Sequence, residues 1–154
     1  MKLLTFALDG AEHVGVLSAD GSRVLPLQAL GFPWESMQSL IEEADPQALG
    51  ALRAAVAAAP VTMGYPYDRV EKRAPIPWLR RDMICIGYNF KSHAQEIAAL
   101  RGESAQSAEI SYPIYFSKRT ACATGDGDPI PYVPGYAENL DCGVEVAVVI
   151  GKDA

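Results

Sequence analysis

Seven residues, Val144-Glu145-Val146-Ala147-Val148-Val149-Ile150, do most to limit what this chain can fold into. A near-continuous run of β-favouring residues suits a strand covered on both faces. It carries one charge, Glu145, and burying an unpaired carboxylate is expensive. Two explanations compete: an edge strand that leaves Glu145 in water, or a strand that aims it at a metal or a basic partner. Ligands delivered by a strand come at i and i+2, which share a face. At that spacing Glu145 has Gly143 and Ala147, and neither can ligate. The run needs neighbours on both sides, so it predicts association through its edge, with a second copy or a complementary chain.

The rest of the chain reads as α+β. Leu3–Leu8 and Val14–Leu17 are strand candidates, and Asp20-Gly21 supplies a hairpin turn before Val24-Leu25. Met37–Ala44 looks helical. Asp45 is a helix N-cap with Pro46 in the first turn, and Leu49, Leu52 and Val56 then recur at helical spacing. Prolines at 60, 66, 75 and 77 mark a join between a small N-terminal α+β domain, residues 1–74, and a mostly β unit, residues 75–154. Tyr112–Ser117 is another strand candidate, and Gly125-Asp126-Gly127-Asp128-Pro129 a turn. That cluster lacks the further ligands and terminal Glu of a calcium-binding EF-hand loop.

Charge and cysteine content restrict the setting. The formal charge of −6 argues against nucleic acid or an anionic membrane as partner. Three separated cysteines, Cys85, Cys122 and Cys142, suit a reducing, cytoplasmic compartment better than a disulfide framework. Neither a signal sequence nor an apolar run of bilayer length is evident.

Chemistry concentrates at residues 86–96. The apolar run Met83-Ile84-Cys85-Ile86 breaks at Gly87 and leads to His93, one of two histidines, and Glu96. Ser92 with Gln95 resembles a capping box, and Gly102 is a stop signal. His93 and Glu96 then share a face in the first turn of a short helix. By spacing alone a solvated surface pair explains them better, because such pairs are commonplace on helices. A polar, small-residue-rich loop follows over Arg101–Ser111. His13 reads as a surface residue and Cys85 as core.

The sequence Ile86-Gly87-Tyr88-Asn89-Phe90-Lys91-Ser92-His93-Ala94-Gln95-Glu96 resembles the I-G-x-N-Y/F-x-x-H-x-x-E segment of the fumarylacetoacetate hydrolase family. Tyr115-Phe116-Ser117-Lys118 resembles its F-x-K element, and Gly127-Asp128-Pro129-Ile130 its G-D-P-I element. The stretch from Leu140-Asp141 to Gly151-Lys152 resembles its L-D-Y-E-x-E-L/V-A-V-V-I-G-K/R element. The resemblance covers residues 82–154 and implies the first part of a mostly β rolled-sheet or sandwich domain, usually dimeric. It implies Mg²⁺ or Mn²⁺ on carboxylates, serving C–C hydrolysis, decarboxylation or keto–enol isomerisation of small 2-oxo and 1,3-dioxo acids. It further implies a His93–Glu96 dyad that activates water, often on a lid, with Asn89 and Lys118 as substrate-binding residues and Glu145 as metal ligand. Lys118 reads equally well as a strand-end surface lysine. The family's first glutamate ligand is replaced by Gly143, and its later aspartate ligand is expected beyond residue 154. The chain is therefore read as the front half of an enzyme, or as a non-catalytic partner of the same fold.

Overall fold

The computed structural model describes residues 1–104, 112–120, 122–136, 139–140 and 142–152. Asp141 and residues 105–111 of the expected polar loop lie outside these. The fold mixes helices with antiparallel sheets and separates into two compact units, Trp78–Cys122 and the remainder.

The larger unit is built on a meander. β1 (Leu3–Leu8) turns at Asp9-Gly10 into β2 (Ala11–Leu17), with Leu8 opposite Ala11. Both turn residues have positive φ, 50° and 81°, as a tight two-residue hairpin requires. The second turn leads to β3 (Arg23–Pro26), and the Asp20 carboxylate organises it. That carboxylate accepts from the Ser18 hydroxyl at 2.6 Å, the Ser22 amide at 3.1 Å and the Ser22 hydroxyl at 2.8 Å. These bonds, the Ser18 hydroxyl first, lower its pKa from 3.8 to about 2.

α1 (Met37–Glu43) and α2 (Pro46–Ala58) cover one sheet face. Ser36 and Ser39 cap α1 reciprocally, while the Asp45 carboxylate accepts from the Ala48 amide at 2.7 Å at the start of α2. Val14, Val16, Leu25 and Leu27 pack with Trp34, Met37, Leu40 and Leu52 in this core. Phe6 and Val24 point the other way and meet Val70, as the two-residue period of a strand dictates. His13 is half-buried, tilted against the Phe6 ring at 5.6 Å.

The proline-marked segment does more than join domains. It supplies β4 (Tyr65–Pro66) and β5 (Glu71–Lys72), which close the two edges of a five-stranded sheet of order β4-β3-β2-β1-β5. Proline is tolerated there because an edge strand has one side without a ladder. The segment is anchored by the Thr5 hydroxyl to the Pro75 carbonyl, 2.7 Å, and the Arg23 guanidinium to the Met63 and Gly64 carbonyls. The expected turn at 125–129 sits against this edge. Asp128 accepts from the Gly125 amide at 2.6 Å, and Lys72 pairs with Asp126 at 3.4 Å. A Cβ on Gly125 would come within 2.7 Å of the Lys72 carbonyl oxygen, so the turn can approach this closely only with glycine there.

The strand expected over residues 144–150 is not formed. These residues are neither helix nor strand, and Val144 is 98% exposed. A strand exists only through its ladder, and no described strand lies beside this run to supply one. Lys152 is held by its ammonium donating to the Glu42 carbonyl.

The smaller unit contains β6 (Met83–Gly87), α3 (Lys91–Leu100) and β7 (Ile114–Lys118). The strands pair antiparallel, from Met83 opposite Lys118 to Gly87 opposite Ile114. Cys85 is half-buried rather than core, and β7 is exposed along its whole length.

Candidate active site

The end of β6 delivers the candidate residues. Tyr88 follows Gly87 with φ 55°, turning the chain out of the sheet, and Asn89 and Phe90 lead into α3. The N-cap is Phe90, with no side-chain cap; the first bond runs from the Ala94 amide to the Phe90 carbonyl. The capping box expected at Ser92 and Gln95 is therefore absent. The left-handed turn at Tyr88 starts the helix two residues early, which places Ser92 inside its first turn. The other end behaves as expected. Gly102, φ 70°, allows its amide to reach Ala99 and the Glu103 amide to reach Ala98, a Schellman closure.

This frame fixes the dyad. Ala94 and Ala98 form the buried side of α3, while His93 and Glu96 lie one turn apart on its open side. His93 Nδ1 lies 3.7 Å from Glu96 Oε2, with the side chains 53% and 71% exposed. That is ion-pair range and longer than a direct hydrogen bond. Catalytic contacts of this kind commonly tighten only around substrate. The Tyr88 ring lies beside His93 in an offset, near-parallel arrangement, centroids 6.1 Å apart and planes at 26°, and Arg101 Nη2 donates to the Tyr88 hydroxyl at 3.2 Å.

The other expected residues are placed differently. Asn89 is exposed in the turn ahead of α3. Lys118 stands opposite Met83, at the far end of the hairpin from Gly87. Four strand steps separate those ends, roughly 13 Å at the usual rise per residue. Glu145 belongs to the irregular C-terminal stretch of the larger unit. A Cβ at position 143 would lie 3.8 Å from its Oε1, so the two positions share a face, but Gly143 offers no donor. Among the described residues no three His, Cys, Asp or Glu side chains converge on a point that could hold a metal. One carboxylate does not fit a hard divalent cation, which takes at least six oxygens. Sequence reasoning had passed over Tyr88 and Arg101. Neither residue type nor spacing marks them, because their link depends on the left-handed turn.

Residues 82–154 match the fumarylacetoacetate (FAA) hydrolase C-terminal family, and the chain belongs to the fumarylacetoacetate hydrolase family. Within it, the chain is similar to proteins named oxaloacetate tautomerase. The YisK protein of Bacillus subtilis is 38% identical over 88 residues, covering 57% of this chain and 27% of that protein. The human mitochondrial FAHD2B protein is 30% identical over 143 residues, covering 91% and 41% respectively. The rat mitochondrial Fahd2a protein is 32% identical over 158 residues, covering 99% and 45%. The chain thus spans less than half the length of each of these relatives. No helix among the described residues is long and apolar enough to cross a membrane.

Proposed function

We propose that this chain is part of an enzyme that moves protons on small 2-oxo acids, with keto–enol tautomerisation of oxaloacetate or a near analogue as its reaction. The observation that carries this reading is the His93–Glu96 pair on the open side of α3. Tautomerisation needs a group that removes a proton from the carbon beside the ketone and returns one to the resulting enolate oxygen. Imidazole performs both tasks near neutral pH. With Nδ1 turned toward Glu96, Nε2 is left to meet substrate. Nε2 takes the carbon-bound proton as the C–H electrons form the enolate. The imidazolium then protonates the enolate oxygen, and His93 ends neutral, as it began. Glu96 orients the ring and supports its transient charge.

Asn89 is assigned to substrate binding through its amide, whereas Lys118, at the hairpin end away from Gly87, fits the surface-lysine reading better than a carboxylate-binding role beside His93. Hydrolysis of fumarylacetoacetate- or acylpyruvate-type C–C bonds would use the same dyad on a water molecule, and decarboxylation remains a further family alternative. Tautomerisation is preferred because the relatives carry that name and because it asks only for proton transfer. We place the boundary between the N-terminal and catalytic domains near residue 75. The working form is proposed to be a homodimer, or an assembly with a complementary chain, because the apolar run 144–150 stands exposed. Three cysteines, widely spaced and without a Cys-x-x-Cys pair, support a cytoplasmic setting.

Gly143 favours a second reading, a non-catalytic half of the same fold with an incomplete Mg²⁺ or Mn²⁺ site. The test pairs isothermal titration of Mg²⁺ with the decay of oxaloacetate enol absorbance. The chain itself is expected to bind Mg²⁺ weakly or not at all and to show no turnover. Gly143→Glu is expected to tighten binding at least tenfold by adding a second carboxylate on the face of Glu145. If that variant turns over, adding His93→Asn should cost about 10²-fold or more, the usual worth of a general base. Turnover that survives His93→Asn would overturn the dyad assignment. Tight metal binding without turnover would favour the non-catalytic reading.

A further inference from the structure

We propose that Tyr88 is the positioning residue of this site: its ring holds the His93 imidazole in place, and Arg101 holds Tyr88. The catalytic meaning of this rests on the dyad reading above; the geometry does not. Among the described residues, only Asp9 and Tyr88 are non-glycine residues with positive φ. Asp9 closes a two-residue hairpin, where that conformation is demanded. Tyr88 closes no hairpin. A bulky side chain in the left-handed region is disfavoured and persists where its surroundings hold it.

Those surroundings are specific. The Tyr88 ring faces His93, and its hydroxyl receives the Arg101 guanidinium. Arg101 is the C-cap of α3, its own amide directed at the carbonyls of Ile97, Ala98 and Ala99. The chain of contacts therefore runs from the closed end of the helix back to the turn before its start. His93 lies between two restraints, the Glu96 carboxylate at Nδ1 and the offset Tyr88 ring beside it. A half-exposed imidazole held by the carboxylate alone could still swing about its side-chain bonds. The neighbouring ring narrows that freedom and biases where Nε2 points, the form of preorganisation a proton-transfer group requires.

The test uses the full 154-residue chain, whose two histidines give two imidazole Cε1–H resonances, assigned with His93→Asn. Tyr88→Gly deletes the ring while relieving the left-handed backbone, so the fold is kept. It should move the His93 resonance toward its free-histidine position, as the ring current is lost, and leave His13 unmoved. Tyr88→Phe should retain most of the ring-current shift but raise the mobility of the His93 ring in relaxation measurements. Arg101→Gln should do the same, and the double variant no more than either, as expected of one shared contact. In a background with turnover, Tyr88→Gly should lower kcat about tenfold with KM changed less than about twofold, the signature of lost orientation rather than lost binding. An unmoved His93 resonance in Tyr88→Gly would overturn the proposal whatever the kinetics. A moved resonance, together with turnover that survives His93→Asn, would leave the stack standing and remove the dyad.

Discussion

The N-terminal sheet and the β6–β7 hairpin are made of similar residues and come to opposite ends. Leu25 in β3 is 1% exposed, whereas Ile84 in β6 is 78% exposed. The difference is a second layer. β1 to β3 lie under α1 and α2, and their alternating side chains have something to meet on each face. β6 and β7 form a two-stranded ribbon, too small to bury its own surface. Apolar content alone does not make a core; a covered face does.

Matched substitutions in the two regions test this directly. The largest effect is expected for Leu52→Ala, a fully buried residue between helix and sheet, at about 2–5 kcal/mol in denaturant unfolding. Ile84→Ala should cost under about 0.5 kcal/mol, as at an open surface site. Equal losses would break the comparison. Gly15→Val comes next. A Cβ there would meet Val24 Cγ1 at 2.7 Å and Phe6 Cε1 at 3.0 Å, so overpacking should cost about 1–3 kcal/mol by the same measurement. Helix starts give a finer contrast. Asp45→Ala should cost about 1 kcal/mol because a real cap bond is lost, whereas Ser92→Ala should cost at most a few tenths, since none exists. The smallest effect concerns acid. The folded pKa of Asp20 is lowered, so its contribution is present above 3.8 and fades as pH falls through about 2. Asp20→Asn should remove that slope from a pH titration of stability.

Elements with local signals were legible in the sequence. Asp45-Pro46 announced α2, Gly102 the end of α3, and Leu3–Leu8 the first strand. Asp9-Gly10 carried the same turn signal as Asp20-Gly21 and was passed over. What stayed hidden depended on distant partners. Tyr65–Pro66 and Glu71–Lys72 look like linker until β3 and β1 are beside them. The 144–150 run has the opposite history: its local pattern is strongly β, yet pattern without a ladder leaves it irregular. At the candidate site, the shared helix face of His93 and Glu96 could be read from spacing, while their assignment as a dyad came from the resemblance alone. The turn at Tyr88 and the restraint it applies could not be read either way, because nothing in residue type forces a tyrosine to positive φ.

Both edges of the N-terminal sheet are closed by segments that follow β3, and all five strands fall within residues 3–72. During synthesis the ribosome releases this sheet's every strand before the first residue of β6 has emerged. Its hairpins can zip within microseconds, long before the next domain is made. The open rims of the nascent meander are then shielded by β4 and β5 as those strands arrive. The part of the chain that carries His93 is thus made only after the preceding sheet is already protected against sticking to its neighbours.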